Sequence, residues 1–332
     1  KKQNHIKNNK NVLIMRGEII MIKNHNRKFK LGMHSYTLHL SGFGESWGFQ
    51  EYGEHHSFEQ VATFKDLVDI AVEVGLDVLH ITLVDIQNDT SDAHLAECRK
   101  IAEEAGIELE LNVSFNAPSD PRVNCTVEES LHIAHKLGCN LVKYSTDVEH
   151  PEKSSHSCLA PSVMTQLIDI YNQFEAQIGL IEKYGMKIAI ENHCDLFADE
   201  VIWLVEKLNH PLIGACCDTI NSLMVMEGIA DCVRKMAPYC YCVHFCDNRV
   251  FADPDGTHSL GTAIGQGNVD CRAIMDILRE EAKQKMSPFY DVSEDNLKFE
   301  EKAAKYIDFL NASAYDKRRD VRTNIAGTFQ RA

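Results

Sequence analysis

The stretch KIAIENHCDL, Lys187–Leu196, is an apolar run that stops in a carboxylate, an amide and an imidazole: Glu191, Asn192 and His193. Lys187 to Ile190 read as a buried strand. The polar ending is either a helix cap with a stray histidine or the rim of an active site. The chain on either side decides between them.

Short apolar runs of this kind recur from Lys30 onward, and stretches with apolar residues at helical spacing alternate with them. KLGMHSYTL, LDVLHITLV, IELELNVSF and CNLVKYST are the four predicted strands before this one. IGACCDTINS, YCVHFCDNRV and PFYDVSED follow it. Between them lie helical stretches such as FKDLVDIAVEVG, where Leu67, Ile70, Ala71 and Val74 share a face. Gly75, Gly106, Gly138 and Gly185 stand where helices are expected to stop, and Thr126 where one is expected to be capped. PSVMTQLIDIYNQFEAQIGLIEKYG is predicted as one long helix, and LKFEEKAAKYIDFLNASA as the closing one.

Eight strand-then-helix units are the number that closes a parallel barrel, so the expected fold is a single-domain (β/α)8 TIM barrel. An open doubly wound sheet is the rival. It usually carries a glycine fingerprint after its first strand, and GMHSYTLHLSGFGESWG does not fit one. The barrel is expected over residues 29–325, with residues 326–332 as a tail. Residues 1–28 are polar and rich in Asn and Lys, a leader outside the fold or a flexible arm. RGEIIM can be encoded by a purine-rich ribosome-binding run before a Met codon, so Met21 is the expected natural start.

Composition narrows the function. The 332 residues carry 34 basic and 49 acidic side chains, a net charge of −15. That balance disfavours nucleic acid or an anionic membrane as partner. No apolar run reaches the roughly 18 residues of a membrane span. The twelve cysteines show no spacing of a secreted framework, which predicts free thiols in a reducing cytoplasm. Cys240, Cys242, His244 and Cys246 alternate along one predicted strand, so they are expected to line one face rather than close a tetrahedral zinc site.

Barrel chemistry sits at the C-terminal ends of the strands. The fifth strand ends in Glu191, the sixth in Asp218, the seventh in His244 and the eighth in Glu294. Parity turns Ala189, Cys216 and Gly214, and Cys242 and Cys240, inward beneath them, leaving room inside. Three carboxylates and an imidazole facing one point suit a single divalent ion: Mn²⁺, with Mg²⁺ or Co²⁺ as the alternatives. Asp291 shares Glu294's strand with opposite parity, and a bulge exchanges the two. Taken singly, Glu191 and Asp218 also read as helix caps and His244 as a core histidine.

The set IAIENH, CCDTIN, VHFCDNR, GQGNVD and VSED resembles the sugar phosphate isomerase/epimerase family with a xylose-isomerase-like barrel. The resemblance implies metal ligands at Glu191, Asp218, His244 and Glu294. It places Arg249 near substrate hydroxyls and makes Ile264–Asp270 the family's GxG loop. The long first loop, HLSGFGESWGFQEYGEHHSF with His55 and His56, and the long seventh loop depart from a plain epimerase. They resemble the large subunit of bacterial C-glycoside deglycosidases, which implies a small β subunit as partner.

Either resemblance implies proton abstraction beside a carbonyl of a keto sugar or glycoside. Glu191 and Glu294 are the expected proton-transfer carboxylates. His193, with Glu191's parity, is the expected extra acid or base. His34, His80 and Lys143 are expected on the substrate side, and the chain is expected to form an oligomer. A C-glycoside deglycosidase is the specific expectation, with a ketose 3-epimerase or aldose–ketose isomerase as the alternative. An endonuclease IV-like phosphodiesterase shares the barrel, but it needs more zinc ligands and a basic face.

Overall fold

The computed structural model describes residues 30–41, 43–44, 62–118, 120–149, 161–254 and 256–282. Its parallel strands are β1 (Gly32–His34), β2 (Val78–Thr82), β3 (Glu108–Ser114), β4 (Leu141–Ser145), β5 (Lys187–Glu191), β6 (Ile213–Asp218) and β7 (Cys240–His244). They pair in sequential order, each hydrogen-bonded to the next. The helices are α1 (Phe64–Val74), α2 (Asp92–Ala105), α3 (Val127–Leu137), α4 (Pro161–Glu175), α5 (Ile178–Tyr184), α6 (Ala198–Leu208), α7 (Ile229–Met236) and α8 (Cys271–Ala282). An antiparallel hairpin, β8 (Asp247–Asp253) and β9 (Gly256–Thr262), follows β7.

Local chemistry sets the helix ends. Thr63 and Thr126 each accept from the N–H three residues on, and Asp66 and Glu129 return the bond to the cap N–H. Gly75, Gly106, Gly138 and Gly185 are the expected stops, all left-handed, where a Cβ is penalised. The predicted long helix breaks between α4 and α5. Its ladder tightens at Gln177, whose N–H reaches Phe174 O rather than the carbonyl four residues back. Gly179, a weak helix former, follows two residues later.

The sheet is rolled. Six strand spacings of about 4.8 Å would set β1 and β7 roughly 29 Å apart if it were flat. Yet the rings of His34 on β1 and His244 on β7 lie 5.5 Å apart, centroid to centroid. Their side chains meet across an interior, as a TIM barrel requires. The expected eighth strand, the closing helix, and Glu294, Asp291, His55 and His56 fall outside the described residues.

Two apolar layers hold the fold. The outer one packs helix faces such as Leu67, Ala71, Leu131 and Ile181 on Leu79, Ile81, Leu111 and Ile190. Each such buried leucine or isoleucine contributes about 1.5–3 kcal/mol. The inner one is small: Leu141, Ala189 and Cys216, with Tyr241 and Cys242 against them.

The inner layer corrects the parity of the seventh strand. The register shifts so that Ala215 pairs with Cys240 and Cys216 with Cys242. The extra residue, Tyr241, turns inward, and Cys240 joins the outer core with Cys217. Gly214 makes the space. A Cβ there would lie 2.8 Å from the Tyr241 ring and 2.5 Å from Tyr239 O.

The long seventh loop is also folded. Phe251 pairs with His258 and Arg249 with Leu260 in an antiparallel hairpin. Asp247 accepts from the N–H groups of Gly265 (2.9 Å) and Gly267 (2.8 Å), tying the GxG loop to the exit of β7.

Candidate metal centre

Strand register sets the height of each inward side chain. His34 lies beside His80, and His80 beside Glu110. Asn112 lies beside Lys143, Glu191 beside Cys216, and Asp218 beside His244. Polar groups from seven successive strands therefore share one interior.

Glu191 is the centre of this set, with its side chain 1% exposed. One oxygen faces His244 Nδ1 at 2.6 Å. The other accepts from the Lys143 ammonium, and the Ser145 hydroxyl lies 3.3 Å from it. Lys143 also donates to Ser145 Oγ at 2.8 Å. Burial opposes the Glu191 carboxylate, but Lys143 and His244 outweigh it and hold its pKa well below the usual range. Burial likewise opposes a His244 cation, while Cys216 and Glu191 hold its pKa well above the usual range.

The neighbouring histidines go the other way. Burial first, then the charges around them, push His34 and His80 well below the ordinary histidine value. His34 Nε2 pairs with the Asn112 amide at 2.8 Å, and His80 Nδ1 lies 3.2 Å from Glu110. Burial pushes Glu110 up to about 7. The rings of His34, His80 and His244 stand 5.1–5.5 Å apart.

A divalent cation fits this set. Ligand atoms of Glu191, Cys216 and His244 all lie within 4.8 Å of one another. The Nε2 atoms of His244 and His80 are buried and make no hydrogen bond. Buried polar atoms are rarely left so, and a bound ion or water accounts for them. The predicted ligands and the observed cluster overlap only in part. Glu191 and His244 meet. Cys216, expected a layer below, joins them.

Asp218 is engaged differently. Its Oδ1 accepts from the N–H groups of Ile220 (2.9 Å) and Asn221 (3.0 Å), capping the next turn. Its Oδ2 lies 3.7 Å from Cys246 Sγ. Burial, then the Glu191 charge, raise its pKa.

His193 lies beyond the end of β5, and its Nδ1 pairs with Asp147 at 2.9 Å. Asp147 also accepts from the Ser114 hydroxyl. Burial works against the His193 cation, but the Asp147 bond and the Glu191 charge raise its pKa. Arg249 is exposed on β8, with its guanidinium 3.5 Å from Gln266 O. Lys143, expected to meet substrate, is held by Glu191.

Sequence reasoning missed Cys216, Asp147, Glu110 and Asn112. Asp147 had a signal: KYSTD ends a strand in a carboxylate, as IAIE does. Cys216 had a fainter one, two residues before Asp218 on the same face.

Residues 68–310 match the Xylose isomerase-like TIM barrel family. The chain belongs to that family. Among curated proteins it is 23% identical over 214 residues to YihM, an uncharacterized protein of Escherichia coli (strain K12). That alignment covers 63% of this chain and spans 60% of YihM. Among solved structures, D-psicose 3-epimerase in the presence of D-fructose superposes with a TM-score of 0.55 at 16% identity, over 86% of this chain and 98% of that one. The IOLI protein with a bound zinc atom superposes with a TM-score of 0.55 at 17% identity, over 87% of this chain and 99% of that one. These likenesses are of fold.

The family barrel accounts for the order and direction of β1–β7. Among the described residues every cysteine is a free thiol, as expected. No helix among them is long and apolar enough to cross a membrane.

Proposed function

We propose that this chain is a divalent-metal-dependent isomerase or epimerase of a keto sugar, a ketose 3-epimerase in the first instance. The observation that carries the reading is the meeting of Glu191 and His244 across β6, at the C-terminal ends of β5 and β7. Glu191, His244 and, through its Oδ2, Asp218 are the proposed ligands, with Glu294, which lies outside the described residues, completing the set. The bound ion supplies Lewis-acid stabilisation of charge on a carbonyl oxygen.

The chain's own residues do the rest. Glu191, kept ionised by Lys143 and His244, takes the proton on the carbon beside the carbonyl. Glu294 returns one from the opposite face. His193, oriented by Asp147, carries protons at the rim. His80, neutral, offers its unpartnered Nε2 to a sugar hydroxyl, His34 packs beside it with its ring nitrogens held by the Tyr36 N–H and the Asn112 amide, and Arg249 serves the outer end of the substrate. The working unit is one barrel over residues 29–325, assembled as an oligomer in the cytoplasm.

The test is proton exchange. Purified chain loaded with Mn²⁺ and, in a parallel sample, with Co²⁺, incubated with D-fructose or D-psicose in D2O, is expected to place deuterium on C3 and to interconvert the two. Glu191→Gln is expected to abolish both. A wild-type chain that exchanges no carbon-bound proton on any ketose sinks the reading.

A second reading draws on the β8–β9 hairpin, which follows β7 and is tied at Asp247 to the GxG loop. It is C-glycoside deglycosidation, in which the enolate of a 3-oxo C-glucoside expels the aglycone carbon. That reading requires a small β subunit and no activity of this chain alone on free ketoses. The same exchange experiment separates the two.

A further inference from the structure

The centre differs from an oxygen-and-nitrogen site in one respect. Cys216 faces inward from β6, directly beside Glu191 on β5 and Cys242 on β7. It is wholly buried among Leu141, Ala189, Tyr241 and Cys242. Its sulfur belongs to the close group formed with Glu191 and His244. The carboxylate of the same strand, Asp218, spends one oxygen on two backbone N–H groups and does not join that group. A second observation points to the same place. His80 is 5% exposed, its Nε2 is unpartnered, and its ring stands 5.1 Å from that of His244.

We propose that Cys216 is a thiolate ligand of the metal held by Glu191 and His244, and that this centre takes a borderline-soft divalent ion, zinc or cobalt, in preference to manganese or magnesium. The inference rests on the metal-dependent reading above. Sulfur from Cys216, added to the Glu191 oxygen and the His244 nitrogen, makes a mixed donor set of the kind that borderline-soft ions accept. Hard ions are poorly matched to sulfur. On coordination the metal replaces the thiol proton, which leaves to solvent, with no change of oxidation state.

Cobalt alone is the probe. The full chain, stripped of metal and titrated with Co²⁺, is expected to bind one ion and show a thiolate-to-cobalt charge-transfer band in the near ultraviolet. Cys216→Ser should lose the band, and Cys242→Ser should keep it. Glu191→Gln leaves every thiol in place and should also lose it. That variant keeps the test decisive if Cys216→Ser does not fold. In competition dialysis against equal Zn²⁺ and Mn²⁺ the wild type should retain zinc. Cys216→Ser should lose about 10- to 100-fold of its zinc affinity, the range seen when groups supporting a metal are removed.

Cobalt bound without the band, a band that survives in Glu191→Gln, or no bound ion overturns the proposal. Ketose exchange in D2O is read separately. Exchange without the band removes the thiolate and leaves the sugar chemistry. A band without exchange removes the sugar chemistry and leaves the ligand.

Discussion

Glu191 is held by two cationic partners inside the barrel, and that makes Lys143 the residue whose loss is most easily read. Its side chain is 2% exposed. Removing one partner of a buried ion pair strands the other charge, at about 3–5 kcal/mol, whereas neutralising both sides costs far less. Lys143→Met is therefore expected to lower stability by about that much, and adding Glu191→Gln to restore most of it. Urea unfolding of the four members of this cycle checks it. An additive double variant would show that Lys143 answers to another group. At this scale the sequence was half legible. Glu191 and His244 could be found because each ends an apolar strand, where a polar side chain needs a reason. Cys216 was legible only as an inward side chain, because a thiol passes for a core residue and its closeness to Glu191 and His244 depends on depth inside the barrel. Lys143 was legible as an inward group but not as Glu191's partner, since pairing across two strands depends on register.

Between elements, the ties are carboxylates that bridge strand exits. Asp195, after β5, accepts from the Thr146 hydroxyl at 2.6 Å and the Val148 N–H at 2.7 Å, both after β4. Burial, then repulsion from Asp147, push Asp195 up to about 7. An unfolded aspartate titrates near 3.9. The folded chain thus holds this proton more tightly, so its contribution is complete below about pH 4 and is lost as pH rises through about 7. Asp195→Asn is expected to remove that slope. Urea midpoints at pH 5 and pH 8 should differ more in the wild type than in the variant, and equal differences would refute the assignment. Helix ends were legible because capping chemistry is local: a Thr followed by Asp or Glu three residues on, and a glycine at the stop. The hairpin and the Tyr241 bulge were not. Both depend on what a segment meets across space, and Tyr241 turns inward only because Gly214 leaves room for its ring.

For the whole molecule, the repeating strand-and-helix alternation made the barrel readable, since eight such units are the number that closes a parallel sheet with helices outside. An ion that binds the folded chain and not the unfolded one must raise its stability by mass action, about 2.7 kcal/mol at a hundredfold excess over the dissociation constant. Thermal unfolding with and without a divalent ion is expected to show that rise. A chelator is expected to reverse it, and Glu191→Gln to show neither effect. The contact of His34 with His244 carries one more consequence. The first strand and the seventh meet around a single point, so no early fragment of the chain can own the centre. A nascent chain ending before His244 has the carboxylate of Glu191 and the ammonium of Lys143 but nowhere to gather an ion. An ion bound there would then serve as a mark of completed folding, a molecular seal set only after the last of these strands has arrived.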